Sequence, residues 1–266
     1  MDIHKPKPWH GIREFLKEFG TIVVGVLVAL GAEQAVERLE WAHKAGIAED
    51  LMRAEIAGDD GPQVYGRIIV APCQMQVLTN FRGLIEGGAP RKLVVQRLKL
   101  FQGAEATWDS AAYRAADSSG VLVHMPRDLL SDLSLFYEMM SSLNTYSERE
   151  ASSLAHLRAL PATGGAISAA ERASLLTAVE EELGNVKQIR SDSLFAARAM
   201  YRSGVKLDRG GQSYVDQGLP LGKQPEFAAC VAKGLSDLAR ANSKSSTSRY
   251  FITPDDEVAA PGTPKK

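Results

Sequence analysis

Two cysteines, Cys73 and Cys230, are the residues of this sequence that could carry redox chemistry. They stand far apart in the chain, so they do not form the closely spaced pair of a thiol oxidoreductase. In an oxidising compartment they could form a disulfide bond that ties the second helical segment to the last one. Otherwise each cysteine is a small buried hydrophobic side chain in its own place. The sequence leaves both alternatives open.

The spacing of the other polar residues gives little indication of a metal site or a catalytic site. The five histidines lack the spacing of a metal-binding motif, and none stands beside a cysteine cluster. They are His4, His10, His43, His124 and His156. The sequence contains neither the GxSxG elbow of serine hydrolases nor the lysine-containing loop that binds phosphates. We therefore expect no metal and no cofactor, and we rank an enzyme with an unfamiliar site last among the possible functions.

Two further groups of residues are candidates for binding. Glu180, Glu181 and Glu182 follow one another on a predicted long helix, and we interpret them as its solvated face. Trp108 and Tyr113 belong to a segment rich in alanine, which predicts a compact helix with a small-residue face. Such a face either packs closely on longer helices or lines a pocket for an apolar ligand, and close packing is the more common case.

The overall composition is that of a folded helical protein. Of the 266 residues, 45% are hydrophobic and 24% are charged, which excludes a disordered chain. The formal net charge of -1 provides no basic surface, so neither DNA nor RNA is expected as a partner. Alanine, leucine, glutamate and arginine dominate the long segments, and these residues favour helix. We predict an all-α fold.

The strongest local signal is an apolar segment near the N-terminus. Residues Phe19 to Ala32 carry no charge, and four lysines and arginines precede them. A run of this length is compatible with a membrane helix lengthened by its flanks, with a cleaved signal peptide or with a buried helix. The helix-forming sequence continues unbroken through Ala42, which favours an uncleaved anchor. We therefore predict a transmembrane helix over residues 19–36.

The charges around this segment predict its orientation. Residues 1–18 contain four lysines and arginines, whereas the stretch from Glu33 to Met52 contains two. Because positively charged flanks tend to remain in the cytoplasm, we predict that residues 1–18 are a cytoplasmic leader. The main domain would then lie outside the cytoplasm.

One face of the predicted anchor is suited to contact with another membrane helix. Gly25, Ala29 and Ala32 are spaced by four and then three residues, so their small side chains let a second helix approach closely. Glu33 and Gln34 stand at the outer end, where their side chains could form lateral hydrogen bonds. We expect these five residues to pack, within the lipid bilayer, against other membrane-protein subunits or a second copy.

Two stretches carry a resemblance to a known family. They read REFLKEFGTIVVGVLVALGAEQAVERLEW, which includes the apolar segment, and TWDSAAYRAADSSGVLVHMP further along. The first stretch resembles the N-terminal region of a family of uncharacterised bacterial single-pass inner-membrane proteins, and the second resembles that family more loosely. The resemblance implies a bacterial inner-membrane protein with its main domain in the periplasm. It supplies no activity, so it assigns no catalytic residue.

The rest of the chain is predicted to form an antiparallel, bundle-like helical domain over residues 37–241. We expect the anchor helix to continue beyond the membrane and to end in the turn-forming cluster from Gly58 to Pro62. Pro72 is expected to kink or restart the following helix. Val205 to Pro225 is rich in Gly, Asp and Gln and reads as a loop, and residues 242–266 form a predicted disordered tail.

Two long helices are predicted in the second half of this domain. One begins at Pro126 and runs towards Pro161 with an apolar stripe at spacings of three and four. The other begins at a capping box formed by Ser168 and Glu171 and ends at Gly204. Because a short turn joins them, these helices should pack antiparallel.

The absence of a chemical motif and the presence of an anchor together favour a non-enzymatic role. We expect a membrane-anchored accessory or scaffolding protein that belongs to a membrane complex or a homo-oligomer. The alternative is an extracytoplasmic ligand-binding or sensory module with a pocket among its helices.

Overall fold

A continuous helical path runs from Ile12 to Glu86. The computed structural model describes residues 11–100, 108–161, 165–218 and 222–243. In it, this path consists of α1 (Ile12–Glu55), a π-helical turn (Ile56–Asp60) and α2 (Gly61–Glu86). The prediction that the helix ends between Gly58 and Pro62 is therefore wrong. Residues 1–10 of the predicted leader and 244–266 of the predicted tail lie outside the described residues.

The π-turn carries the helix through residues that usually end one. Pro62 lies in the first turn of α2, where its missing N–H group is least costly. Gly61 faces the bundle so closely that a Cβ atom would lie 2.6 Å from Cε of Met200 and 2.9 Å from Cδ2 of Leu207. Packing thus overrides the turn propensity of this segment. Pro72 does not restart the helix either, since α2 continues through it.

Six more helices follow in the described part of the chain. They are α3 (Arg91–Leu100), α4 (Ala111–Ser118), α5 (Arg127–Arg158), α6 (Ala169–Ser203), α7 (Arg209–Gly218) and α8 (Ala228–Ala241), with a 3-10 turn at Val121–His124. No strand occurs in the described residues, which confirms the all-α prediction. The predicted capping box is also present, because the Ser168 hydroxyl accepts from the Glu171 N–H at 3.2 Å and the Glu171 carboxylate accepts from the Ser168 N–H at 2.8 Å.

Helix α7 replaces part of the loop that was predicted for Val205 to Pro225. Asp208 caps its start by accepting a hydrogen bond from the N–H group of Gly211 at 2.7 Å. A Cβ atom at Gly211 would lie 2.6 Å from the carbonyl oxygen of Ala57 in the π-turn, so only glycine allows this approach. Gly211, one of the glycines that predicted a loop, therefore serves close packing in a helix.

The long helices of the bundle point in two opposite directions. Arg202, at the end of α6, pairs with Asp132 near the start of α5 at 2.6 Å. His156, near the end of α5, lies 2.7 Å from Ser174 near the start of α6. The two helices are therefore antiparallel, as predicted. Helix α2 runs antiparallel to α6 and to α8, so α2 and α5 point the same way.

Two apolar clusters fill the bundle. One surrounds the π-turn and includes Met52, Ile56, Phe136, Leu143 and Met200. The other lies where α2, α3, α5 and α6 meet, and includes Leu78, Ile85, Leu154, Leu157 and Val179. A smaller cluster packs α7 and α8 on α2. The first two clusters meet near Arg67 and Glu150, which are both buried.

Candidate functional site

The N-terminal half of α1 projects from the bundle without cover. Its most apolar 18-residue window has a mean hydropathy of 1.8, and none of that window is buried. Ile22 and Val28, for example, are each 66% exposed. Within the described residues, this is the one helix long and apolar enough to cross a membrane.

The five predicted membrane-packing residues all lie on this uncovered part of α1. Gly25, Ala29, Ala32, Glu33 and Gln34 are exposed, and nothing lies within 4 Å of the place where Gly25 would carry a Cβ atom. Residues three or four positions apart share a face of a helix, whereas residues two apart do not. Gln34 therefore points away from the face formed by the glycine and the two alanines.

Helix α1 joins the bundle beyond Val36. Ala45 and Met52 are buried against it. Trp41 stacks on His124 of the 3-10 turn, with ring centroids 4.2 Å apart, and the ammonium group of Lys44 lies 4.8 Å from the centre of the Trp41 ring. These contacts fix the direction in which the uncovered half of α1 leaves the bundle.

A partly buried acidic cluster, formed by Glu55 and Asp60, lies at the π-turn. Glu55 accepts a hydrogen bond from the Tyr137 hydroxyl at 2.8 Å and another from the N–H group of Ala112, at the start of α4, at 2.9 Å. Asp60 is 1% exposed and accepts from the N–H group of Asp109 at 3.2 Å through one oxygen only. Burial raises the pKa of Asp60 to about 7, and burial together with Glu55 raises the pKa of Tyr137.

A groove of about 890 Å³ opens beside this cluster. It runs between the π-turn, α5 and α7, and its wall includes Asp59, Trp108, Ser147, Glu150 and Tyr214. The Trp108 indole N–H donates to the Ser147 hydroxyl at 3.2 Å, which fixes the ring in the wall. Trp108 thus packs against α5 and lines the groove. It lies before the start of α4, so the prediction that it belongs to the same short helix as Tyr113 is wrong.

Arg67 and Glu150 form a buried ion pair where the two apolar clusters meet. Their side chains are 2% and 3% exposed, and the two guanidinium–carboxylate distances are 2.9 Å and 2.8 Å. The pair joins α2 to α5. A planar guanidinium that meets a carboxylate through two nitrogens fixes the relative position of the two helices.

Glu182 lies close to this ion pair and is completely buried. Its carboxyl group is hydrogen-bonded to the Ser153 hydroxyl of α5, while its second oxygen has no hydrogen-bond partner. Burial raises the pKa of Glu182 to about 7. The interpretation of Glu180, Glu181 and Glu182 as one solvated face is therefore wrong for Glu182. Its spacing of three from Val179 and four from Val186 already placed it on the apolar side of α6.

Cys73 and Cys230 are joined by a disulfide bond, with Cα atoms 5.0 Å apart. The bond connects α2 to α8 in the smallest of the three apolar clusters. Next to it, Gly234 of α8 packs on the backbone of Ile69, where a Cβ atom would lie 2.6 Å from the Ile69 Cα atom. Helix α8 is thus held by a covalent bond and by a close helix–helix contact.

Metal ligands are not grouped in the part of the chain that the structure describes. No three side chains among its His, Cys, Asp and Glu residues are arranged to hold a metal ion. Comparisons of the chain with protein-family models, with curated proteins and with solved structures found no significant match.

Proposed function

We propose that this protein is a membrane-anchored, non-enzymatic assembly protein, an accessory or scaffolding subunit of a bacterial inner-membrane complex or homo-oligomer. The observation that carries the proposal is the apolar half of α1, which no described part of the chain covers. Exposing this much apolar surface to water is unfavourable, so the segment needs lipid or another helix around it. As a single-pass membrane anchor, the segment would be surrounded by lipid and could pack against another membrane helix.

Two features support an orientation with the bundle in the periplasm. The N-terminal flank of the apolar segment has more lysine and arginine than the following flank, which favours a cytoplasmic N-terminus. The Cys73–Cys230 disulfide suits an oxidising compartment, because cytosolic thiols are usually kept reduced.

The face of α1 that is available to a partner lies opposite the bundle. Val36 continues the face of Gly25, Ala29 and Ala32 after four more residues, and its side chain is 64% exposed. Ala45, which packs on the bundle, follows Val36 by nine residues, or about two and a half helical turns. A helix that packs on the small-residue face therefore meets no obstruction from the protein's own bundle.

A second candidate function is an extracytoplasmic ligand-binding or sensory module. The groove beside the π-turn favours it, since it combines an aromatic wall with acidic side chains and a volume of about 890 Å³. On this alternative the anchor only holds the module at the membrane. A protein that stays monomeric in the bilayer would fit this second role better than the first.

The test begins with membranes isolated from cells that express the full chain. The protein should remain in the membrane fraction after a high-pH carbonate wash, because an inserted helix resists extraction. After solubilisation in mild detergent, native mass measurement should show a complex larger than the monomer. Replacing both Gly25 and Ala29 by leucine should shift the protein towards the monomer, because the larger side chains prevent close helix approach.

The matched control is Gly20→Leu. Gly20 lies in the same uncovered part of α1 but on the opposite side, and, as at Gly25, nothing lies within 4 Å of its Cβ position. This variant should keep the native complex. If the carbonate wash releases the protein, the anchor is wrong. If the Gly25 and Ala29 double variant retains the full complex, the anchor stands but the assembly face is wrong.

A further inference from the structure

The hydrogen bonds around Ser153 need one more proton than its hydroxyl provides. Its oxygen lies 3.1 Å from the carbonyl oxygen of Glu150, accepts from the side-chain N–H group of Asn185 at 3.4 Å and also contacts the carboxyl group of Glu182. A carbonyl oxygen and an ionised carboxylate are both acceptors only, and a serine hydroxyl has a single proton to donate. Both contacts are satisfied if Glu182 carries a proton and donates it to Ser153, which in turn donates to the carbonyl.

The charge balance of the cluster points the same way. The charged groups that act on Glu182 are Glu150 on α5 and Arg67 on α2. Arg67 is already engaged through two nitrogens by Glu150. An ionised Glu182 would therefore add a second negative charge to a buried site with one cation, and burying an unpaired charge is strongly unfavourable. A neutral Glu182 leaves the cluster without net charge.

We infer that Glu182 is a neutral carboxylic acid in the folded protein, and that its ionisation acts as a pH-sensitive device that loosens the contact between α5 and α6. The two helices meet through Ser153 at this point. After the proton is lost, the Ser153 hydroxyl can donate to only one of its two acceptors, and an uncompensated negative charge remains buried between the helices. Glu150 also forms part of the groove wall. The same event therefore reaches the groove.

The direction of the pH effect follows from the proton count. The pKa of Glu182 is raised from 4.5 to about 7 in the folded protein, so over this interval the folded state binds more protons than the unfolded state. The stabilisation is complete below about pH 4.5 and is lost as the pH rises towards 7. One extra proton changes the unfolding equilibrium constant by about tenfold per pH unit. Asp60 changes stability in the same direction.

The experiment compares Glu182→Gln with Glu181→Gln in the full-length protein in non-ionic detergent. A glutamine keeps the shape of the protonated acid and can donate to Ser153 without titrating. Glu181 is exposed and stands next to Glu182 on the same helix, so it serves as the matched control. Urea unfolding, followed by tryptophan fluorescence, is measured from pH 4.5 to pH 8.

Glu182→Gln should reduce the pH dependence of the unfolding equilibrium by about tenfold per pH unit between pH 5 and 7. Glu181→Gln should keep the wild-type dependence. Infrared spectroscopy gives an independent measurement, since the absorption of protonated carboxyl groups at pH 6 should decrease in Glu182→Gln only. An unchanged infrared band in Glu182→Gln, or a pH profile that coincides with that of the wild type, would overturn the inference.

Discussion

Arg67 shows how a single buried charge can decide the stability of this bundle. It is 2% exposed, and its partner Glu150 comes from a different helix. A buried ion pair gains little over an apolar pair of the same shape, because both charges lose their water. Removing one member alone is costly, since the other charge stays behind. The pair therefore contributes more to the choice of one helix arrangement than to the total free energy of folding.

Replacing Arg67 by methionine should lower the free energy of unfolding by about 3–5 kcal/mol, because Glu150 then remains buried without its cation. Adding Glu150→Gln to this variant should recover part of the loss. The control is Arg82→Met on the same helix, where loss of an exposed pair with Glu180 should have a much smaller effect, because water screens both charges. Urea unfolding curves measure all three. Equal losses for Arg67→Met and Arg82→Met would contradict the role of burial.

At the residue scale, the sequence predicted one feature of the structure and missed another. The cysteine pair was recognised as a possible disulfide, and the structure contains that bond. The buried cluster of Arg67, Glu150 and Glu182 was missed. Its members come from three helices, so their proximity depends on helix register, which a single sequence does not reveal. Only Glu182 had a usable local signal, its position on the apolar side of α6.

At the scale of elements, glycine allows α8 to approach α2. Gly234 of α8 packs on the backbone of Ile69, and a side chain there would overlap it. Other helical glycines have no such role. At Gly184 of α6, nothing lies within 4 Å of the Cβ position. Two glycine-to-alanine substitutions in helices should therefore change stability in opposite directions.

Gly234→Ala should lower the free energy of unfolding by about 1–3 kcal/mol, because the added methyl group forces α8 away from α2. Gly184→Ala should raise it by about 0.5–1 kcal/mol, because alanine loses less backbone entropy on folding and nothing obstructs its side chain. Thermal or urea unfolding of the two variants measures both changes in the free energy of unfolding. A stabilising Gly234→Ala would show that the two helices are not in this close contact.

The elements themselves were largely predictable, and the exceptions have a common cause. The helical periodicity and the Ser168–Glu171 capping box correctly predicted the two long helices of the bundle. The π-turn at Ile56–Asp60 and helix α7 were missed. Each contains a glycine that normally indicates a turn and that here lies close to a neighbour, Gly58 to the Asp208 side chain and Gly211 to the carbonyl oxygen of Ala57. Tertiary contact decided these two segments against local propensity.

On the scale of the whole molecule, one continuous helical path connects the exposed apolar segment to the core. The path from Ile12 to Glu86 includes the apolar half of α1, the π-turn and the α2 helix that carries Arg67 and Cys73. A rotation or tilt of the exposed half of α1 would therefore act directly on the apolar cluster around the π-turn. Because the disulfide bond joins α2 to α8, helix α8 is covalently linked to this helical path.

The disulfide should determine how firmly the end of the chain is attached to this path. Cys73 and Cys230 are 157 positions apart, and closing a loop of that size stabilises the folded state by about 5 kcal/mol on the chain-entropy model. Cys230→Ser should therefore lower the free energy of unfolding by about 2–5 kcal/mol. A reducing agent should lower the stability of the wild type by a similar amount and leave the variant unchanged. Urea unfolding with and without the reductant measures both effects. A wild-type protein indifferent to the reductant, with both thiols free to react with an alkylating reagent in the native state, would show that the bond does not form.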